Sequence, residues 1–154
     1  MKKIDASQAI SILANLGVIA GIVFLAVELS QNNDLLQSEA LAARTEGKQA
    51  VIRQLVDNEI LAGVVARAAG GEALLPEQNL VLSAFYEQIL THWQFSFLEY
   101  QASRIDLEDL DLAGWRYWIN EAFPLLPEYW STAVERGRFR QDFREFMEEN
   151  VIAE

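Results

Sequence analysis

The first long hydrophobic stretch of the chain has no polar side. From Ala9 to Val27, AISILANLGVIAGIVFLAV, 19 residues pass without a charge, and Ser11 and Asn15 are the only clearly polar side chains. A helix that buries one face shows polar residues every third or fourth position, and this run does not. At ~1.5 Å per residue it is ~28 Å long, about the thickness of a bilayer's hydrocarbon core. The pattern predicts one transmembrane helix. A cleaved signal peptide shares the basic start at Lys2 and Lys3, but Val18-Ile19-Ala20, the only fair small-x-small site, lies inside the apolar run, and Leu25-Ala26-Val27-Glu28 offers none. A buried core helix and an interfacial helix are the other readings; the missing charged face argues against the second.

Beyond the run the pattern turns helical throughout. Gln31-Asn32-Asn33-Asp34 is a polar collar, either a brief turn or more of the same helix. From Leu35 to Val56 apolar residues recur at helical spacing, at Leu41, Val51, Ile52, Leu55 and Val56. Asp57-Asn58 reads as an N-cap for a helix from Glu59 to about Ala69, closed by Gly70-Gly71. Pro76 with Glu77 opens a helix expected to reach about Ser103. An acidic link, Asp106 to Asp111, should cap and charge a helix over Leu112 to Phe123. Pro124 and Pro127 break that helix, a short one follows to Glu135, Gly137 ends it, and a last helix covers about Asp142 to Val151. No alternating strand pattern and no repeat is present. The expected fold is all-α: an N-terminal transmembrane anchor over 1–30, then an acidic soluble helical bundle over 31–154.

Charge sharpens this division. The chain has 154 residues and a formal net charge of −11. Residues 1–30 carry Lys2 and Lys3 against Asp5 and Glu28, so the whole −11 falls on 31–154. Such a domain repels phosphate backbones, which argues against nucleic-acid binding. There is no cysteine, which excludes disulfides and thiolate metal sites. Lys2 and Lys3 before the span, with no basic residue after it until Arg44, favour an N-terminus in the cytoplasm by the positive-inside rule. The bias rests on two lysines, one of them offset by Asp5, and leaves the side of the domain open.

The chemistry-bearing side chains concentrate on the helix after Pro76. Phe85, Ile89, Trp93 and Phe97 recur every four residues, flanked by Tyr86, Leu90 and Tyr100. Such a ladder builds one thick aromatic face, either the bundle core or the wall of a hydrophobic ligand pocket. His92 is the only histidine. A di-metal carboxylate bundle needs Glu-x-x-His pairs, and Ile89 stands where the glutamate would be. No Gly-x-Ser-x-Gly turn supplies a nucleophile, and the acidic link lacks the central glycine and distal glutamate of a calcium loop. His92 therefore reads as structural or surface-lying, and no catalytic residue, metal ligand or cofactor is expected. Glu87, Glu99 and Glu121 are expected to pair with an arginine such as Arg104 or Arg116, or to face water. Arg136, Arg138, Arg140 and Arg144, interleaved with Phe139 and Phe143, form the one basic patch, expected to pair with the acidic link. Within the span, Gly17 and Gly21 make a G-x-x-x-G step with Asn15 nearby, a pattern suited to close approach of a second helix.

FLAVELSQNN at 24–33 closes the apolar run. Further on come Leu75-Pro76-Glu77, Trp93 with Glu99-Tyr100-Gln101, Ile105-Asp106, Trp115, and Pro127 with Tyr129-Trp130. Arg138-Phe139 and Phe143-Arg144-x-Phe146 follow. In this order they resemble a widespread group of uncharacterised bacterial proteins, each with one membrane helix ending in Leu-Ala-x-Glu/Gln-Leu/Ile-x-Gln-Asn and an all-helical domain. Ser30 stands where that group usually has an arginine, which bears on orientation. The resemblance implies a single-pass protein of the bacterial inner membrane and carries no activity or catalytic residue.

Two functions remain open from sequence. In the first, a membrane-anchored module in the lipid bilayer assembles with itself or joins another membrane protein as an accessory subunit. Asn15, Gly17 and Gly21 would make its span contacts, and exposed aromatics such as Trp118, Tyr129 and Trp130 its soluble ones. In the second, a ligand-binding or enzymatic domain uses a pocket beside Trp93 with His92, Glu99 and Tyr100.

Overall fold

The computed structural model describes residues 6–152, and those residues are all-helical, with no strand among them. Six α-helices follow in order: α1 (Ala6–Asp57), α2 (Glu59–Ala69), α3 (Pro76–Gln101), α4 (Leu112–Tyr117), α5 (Leu126–Glu135) and α6 (Gln141–Met147). A 3₁₀ turn, Leu107–Leu110, precedes α4, and single π-turns, Trp118–Ala122 and Glu148–Ile152, extend α4 and α6. Lys2, Lys3 and Asp5, on which the reading of orientation rests, lie outside the described residues.

The polar residues 31–34 continue α1 without a turn. By its internal contacts the chain divides after Glu39. The physical reason is that no described residue before Ala40 is buried. The N-terminal unit is thus a length of helix whose described side chains have no core of their own. Its most apolar window has a mean hydropathy of 2.5, and none of that window is buried.

The second unit has a core, and α3 supplies its centre. Phe85, Tyr86, Ile89, Leu90, Trp93 and Phe97 are all buried, so the aromatic ladder is mainly core. Phe123 meets Phe85 edge-on at 5.7 Å, and Phe97 packs on Phe146 at 4.8 Å and on Phe143 at 5.6 Å. Aromatic pairs of this kind add ~0.5–1.5 kcal/mol each beyond the area they bury. Trp130, expected on the surface, is buried and stacked on Phe139, and its indole N–H donates to Glu148 Oε1 at 2.9 Å. Trp118 and Tyr129 are half-buried against the same core. The three aromatics assigned to soluble contacts are spent on internal packing.

Local chemistry sets the helix ends. Asn58 Oδ1 accepts from the Leu61 N–H at 3.1 Å and starts α2. Gly71, at φ +72°, closes it with Glu72 N–H donating to Arg67 O, five residues back. Pro76 opens α3, where Gln78 Oε1 accepts from the Leu75 N–H. The same closing pattern ends α3 at Ser103, with Arg104 N–H donating to Glu99 O, and ends α5 at Gly137, with Arg138 N–H donating to Ala133 O. Ser103 adopts φ +55° there without being a glycine.

Two expected helices differ in form. The stretch Leu112 to Phe123 is α only to Tyr117, and Phe123 N–H then donates to Trp118 O, the π pattern. The last helix starts at Gln141 and turns π after Met147. Arg116 Nε donates to the Asn150 carbonyl at 2.9 Å, tying the two regions together.

Candidate functional site

The C-terminal part of α1, from Ala40 onward, presents Arg44, Gly47, Lys48 and Val51 at helical spacing, a single face. α3 contributes Ile89, His92 and Trp93, and α4 contributes Gly114 and Trp115 just after Asp111. Trp118, the first residue of the π-turn, completes the wall. Together these groups enclose a cavity of about 60 Å³ beside Trp93.

Two glycines make room for its polar groups. A Cβ on Gly47 would lie 2.5 Å from His92 Cε1, so the imidazole occupies the place of a side chain at 47. A Cβ on Gly114 would lie 2.6 Å from Asp111 Oδ2. Asp111 itself adopts φ +55° and makes no side-chain cap to α4. Its carboxylate instead accepts from Lys48 Nζ at 2.6 Å, across sixty-three residues of chain. The acidic link was expected to cap the next helix and to meet the basic patch. Its last member does neither, because the left-handed backbone at 111 turns the carboxylate over Gly114 toward α1.

Charge in the cavity is asymmetric. Arg44 is half-buried and has no carboxylate partner among the described residues, whereas Lys48 has Asp111. Burial, then the charges of Arg44 and Lys48, push the His92 pKa below its ordinary value of 6.5. His92 is therefore neutral at pH 7.

Of the pocket residues read from sequence, His92 and Trp93 line the cavity, Trp93 stacked on Trp115 at 4.9 Å with planes 7° apart. Glu99 and Tyr100, two turns further along α3, do not. The Glu99 carboxylate, nearly buried, accepts from the single nitrogen Arg104 Nη1 through both of its oxygens, at 3.0 and 3.1 Å. Tyr100 packs on Phe97 and Phe146. Arg44, Gly47, Lys48, Asp111 and Gly114 were not read from sequence as pocket residues. The available signal was Gly47, an isolated glycine inside a helical pattern, which implies a packing constraint.

Arg138 and Arg140 of the basic patch pair elsewhere. Arg138 donates to Glu87 at 3.0 Å and to the Tyr129 hydroxyl at 3.0 Å, and that hydroxyl donates to Glu87. Burial, then the bond to Glu87, raises the Tyr129 pKa from 10.0 to about 12. Arg140 grips Asp142 with two bonds and holds its carboxyl down at about 2. Asn15, Gly17 and Gly21 lie on α1, exposed, and a Cβ at either glycine would meet nothing within 4 Å. No group of three or more His, Asp or Glu side chains among the described residues is placed to hold a metal ion.

Comparison of this chain with family models, with curated proteins and with solved structures finds no match.

Proposed function

We propose that this protein is a membrane-anchored helical module whose N-terminal helix crosses a bacterial inner membrane and associates there with a second copy or with another membrane protein. One observation carries the reading: the most apolar window of α1, mean hydropathy 2.5, has none of its residues buried. A core helix of that composition would be covered by its own chain, since uncovered apolar area costs ~25 cal/mol per Å² in water. A bilayer is the environment in which such a helix is stable alone. Association falls to the span because Trp118, Tyr129 and Trp130, the aromatics available for soluble contacts, pack against the bundle's own core. Gly17 and Gly21 lie one turn apart with open space beside each, and Asn15 offers an amide that prefers a hydrogen-bond partner in hydrocarbon.

The test has two steps. Alkaline carbonate washing of membranes should leave the chain in the pellet, and its release to the supernatant would overturn the anchor. Native mass spectrometry of the particle in mild detergent should then give an integer multiple of 17.4 kDa or a larger mass with other chains. A bare monomer across protein concentrations would overturn assembly.

A further inference from the structure

We propose that the cavity beside Trp93 binds a small organic carboxylate of acetate to propionate size. This site belongs to the second unit and does not depend on what the span does.

The cavity lining holds two cations, one of them paired, among apolar and indole side chains. Arg44 and Lys48 lie one turn apart on α1, and Asp111 offsets only Lys48. With His92 neutral, the formal charge of the lining is +1, in a chain whose total is −11. A guanidinium without a protein partner presents a fork of N–H donors that matches the two oxygens of a carboxylate. The Asp111 pair holds Lys48 against α4 and leaves Arg44 as the group that meets the anion. His92 adds one ring N–H donor. Val51, Ile89 and the rings of Trp93, Trp115 and Trp118 also line the cavity, and they suit a methyl or ethyl group and repay its removal from water. A phosphate would set oxygens against the indoles and near Asp111. A sugar, a nucleotide or a long acyl chain is much larger than this cavity.

The sole histidine makes the site directly observable. The full chain, in non-ionic detergent micelles, is titrated with sodium acetate and then sodium propionate, with sodium chloride holding ionic strength constant. The Cε1–H resonance of His92 is followed by NMR. We expect a saturable shift with either carboxylate and none with chloride. Arg44→Met should weaken binding about tenfold or more, and Arg44→Lys should restore part of it, with helix content by circular dichroism unchanged in both. Arg44 is only half-buried, so both variants retain the core. A shift that does not saturate, an equal shift with chloride, tighter binding of inorganic phosphate, or full affinity in Arg44→Met would each overturn the proposal.

Discussion

The imidazole of His92, on α3, fills the space that a side chain at Gly47, on α1, would need. A glycine inside a long helix ordinarily costs ~1 kcal/mol relative to alanine, so Gly→Ala there ordinarily stabilises. Here the sign should reverse. Gly47→Ala is expected to destabilise the folded chain by ~1–3 kcal/mol, the cost of overpacking, as read by denaturant or thermal unfolding. Adding His92→Ala should recover most of that loss. Independent, additive effects of the two changes would refute the contact.

His92 also makes stability depend on pH. Its folded pKa is lowered, by burial and then by Arg44 and Lys48, with Asp111 the only acid of the cavity and already held by Lys48. The unfolded chain therefore takes up the proton first, and stability is lost as pH falls below ~6.5. Unfolding midpoints should drop between pH 7 and 5.5, and His92→Gln should flatten the profile over that window. An unchanged slope in the variant would assign the effect to other groups.

The Tyr129 hydroxyl should ionise late. Its pKa is raised to about 12, first by burial and then by its bond to Glu87. The neutral phenol is favoured by folding, so the stability it contributes is present below pH ~10 and is lost as pH rises from there toward 12. The difference in phenolate absorbance between the native chain and Tyr129→Phe should appear near pH 12, and a difference centred at pH 10 would contradict the geometry.

Ser103 closes α3 in a conformation that glycine adopts without strain, as Gly71 and Gly137 do at the ends of α2 and α5. Ser103→Gly should stabilise the chain by ~0.5–1 kcal/mol. The Ser103 N–H donates to Tyr100 O at 2.9 Å, a backbone bond that the substitution preserves. A loss of stability would mean that the serine side chain does something the backbone geometry does not reveal.

In the span, Gly17→Ile or Gly21→Ile should weaken self-association in a membrane two-hybrid assay, because either places a branched side chain where two backbones approach. Wild-type association in both variants would remove the glycine pair from the interface.

Much of the helical layout was legible because its signals are local. Asn58 caps α2, Gly70-Gly71 ends it, Pro76 opens α3 and Gly137 ends α5, each within four residues of the group it satisfies. The aromatic ladder announced the centre of the core for the same reason, a fixed spacing on one helix. The Glu99–Arg104 pair lies five residues apart and was also within reach. The cavity was not, because Arg44 and Lys48, His92, and Asp111 with Gly114 come from three distant segments, and only packing brings them together. Asp111 looked like a helix cap from its position, and its left-handed backbone sends the carboxylate elsewhere. Trp130 looked available for a partner, since nothing near it in sequence shows that Phe139 and Glu148 will cover it.

The π-turn at Trp118–Ala122 sets what kind of change this segment tolerates. A π-turn closes one residue more between donor and acceptor than an α-turn does. Removing one residue between 118 and 122 would let the hydrogen bonding return to α with buried Phe123 still donating to the Trp118 carbonyl. Exposed Asn120 and Glu121, by contrast, contribute length more than contact. Variation here should therefore run through the identity of the exposed side chains and through loss of a single residue, because the wider turn carries one residue that the register of the core does not need.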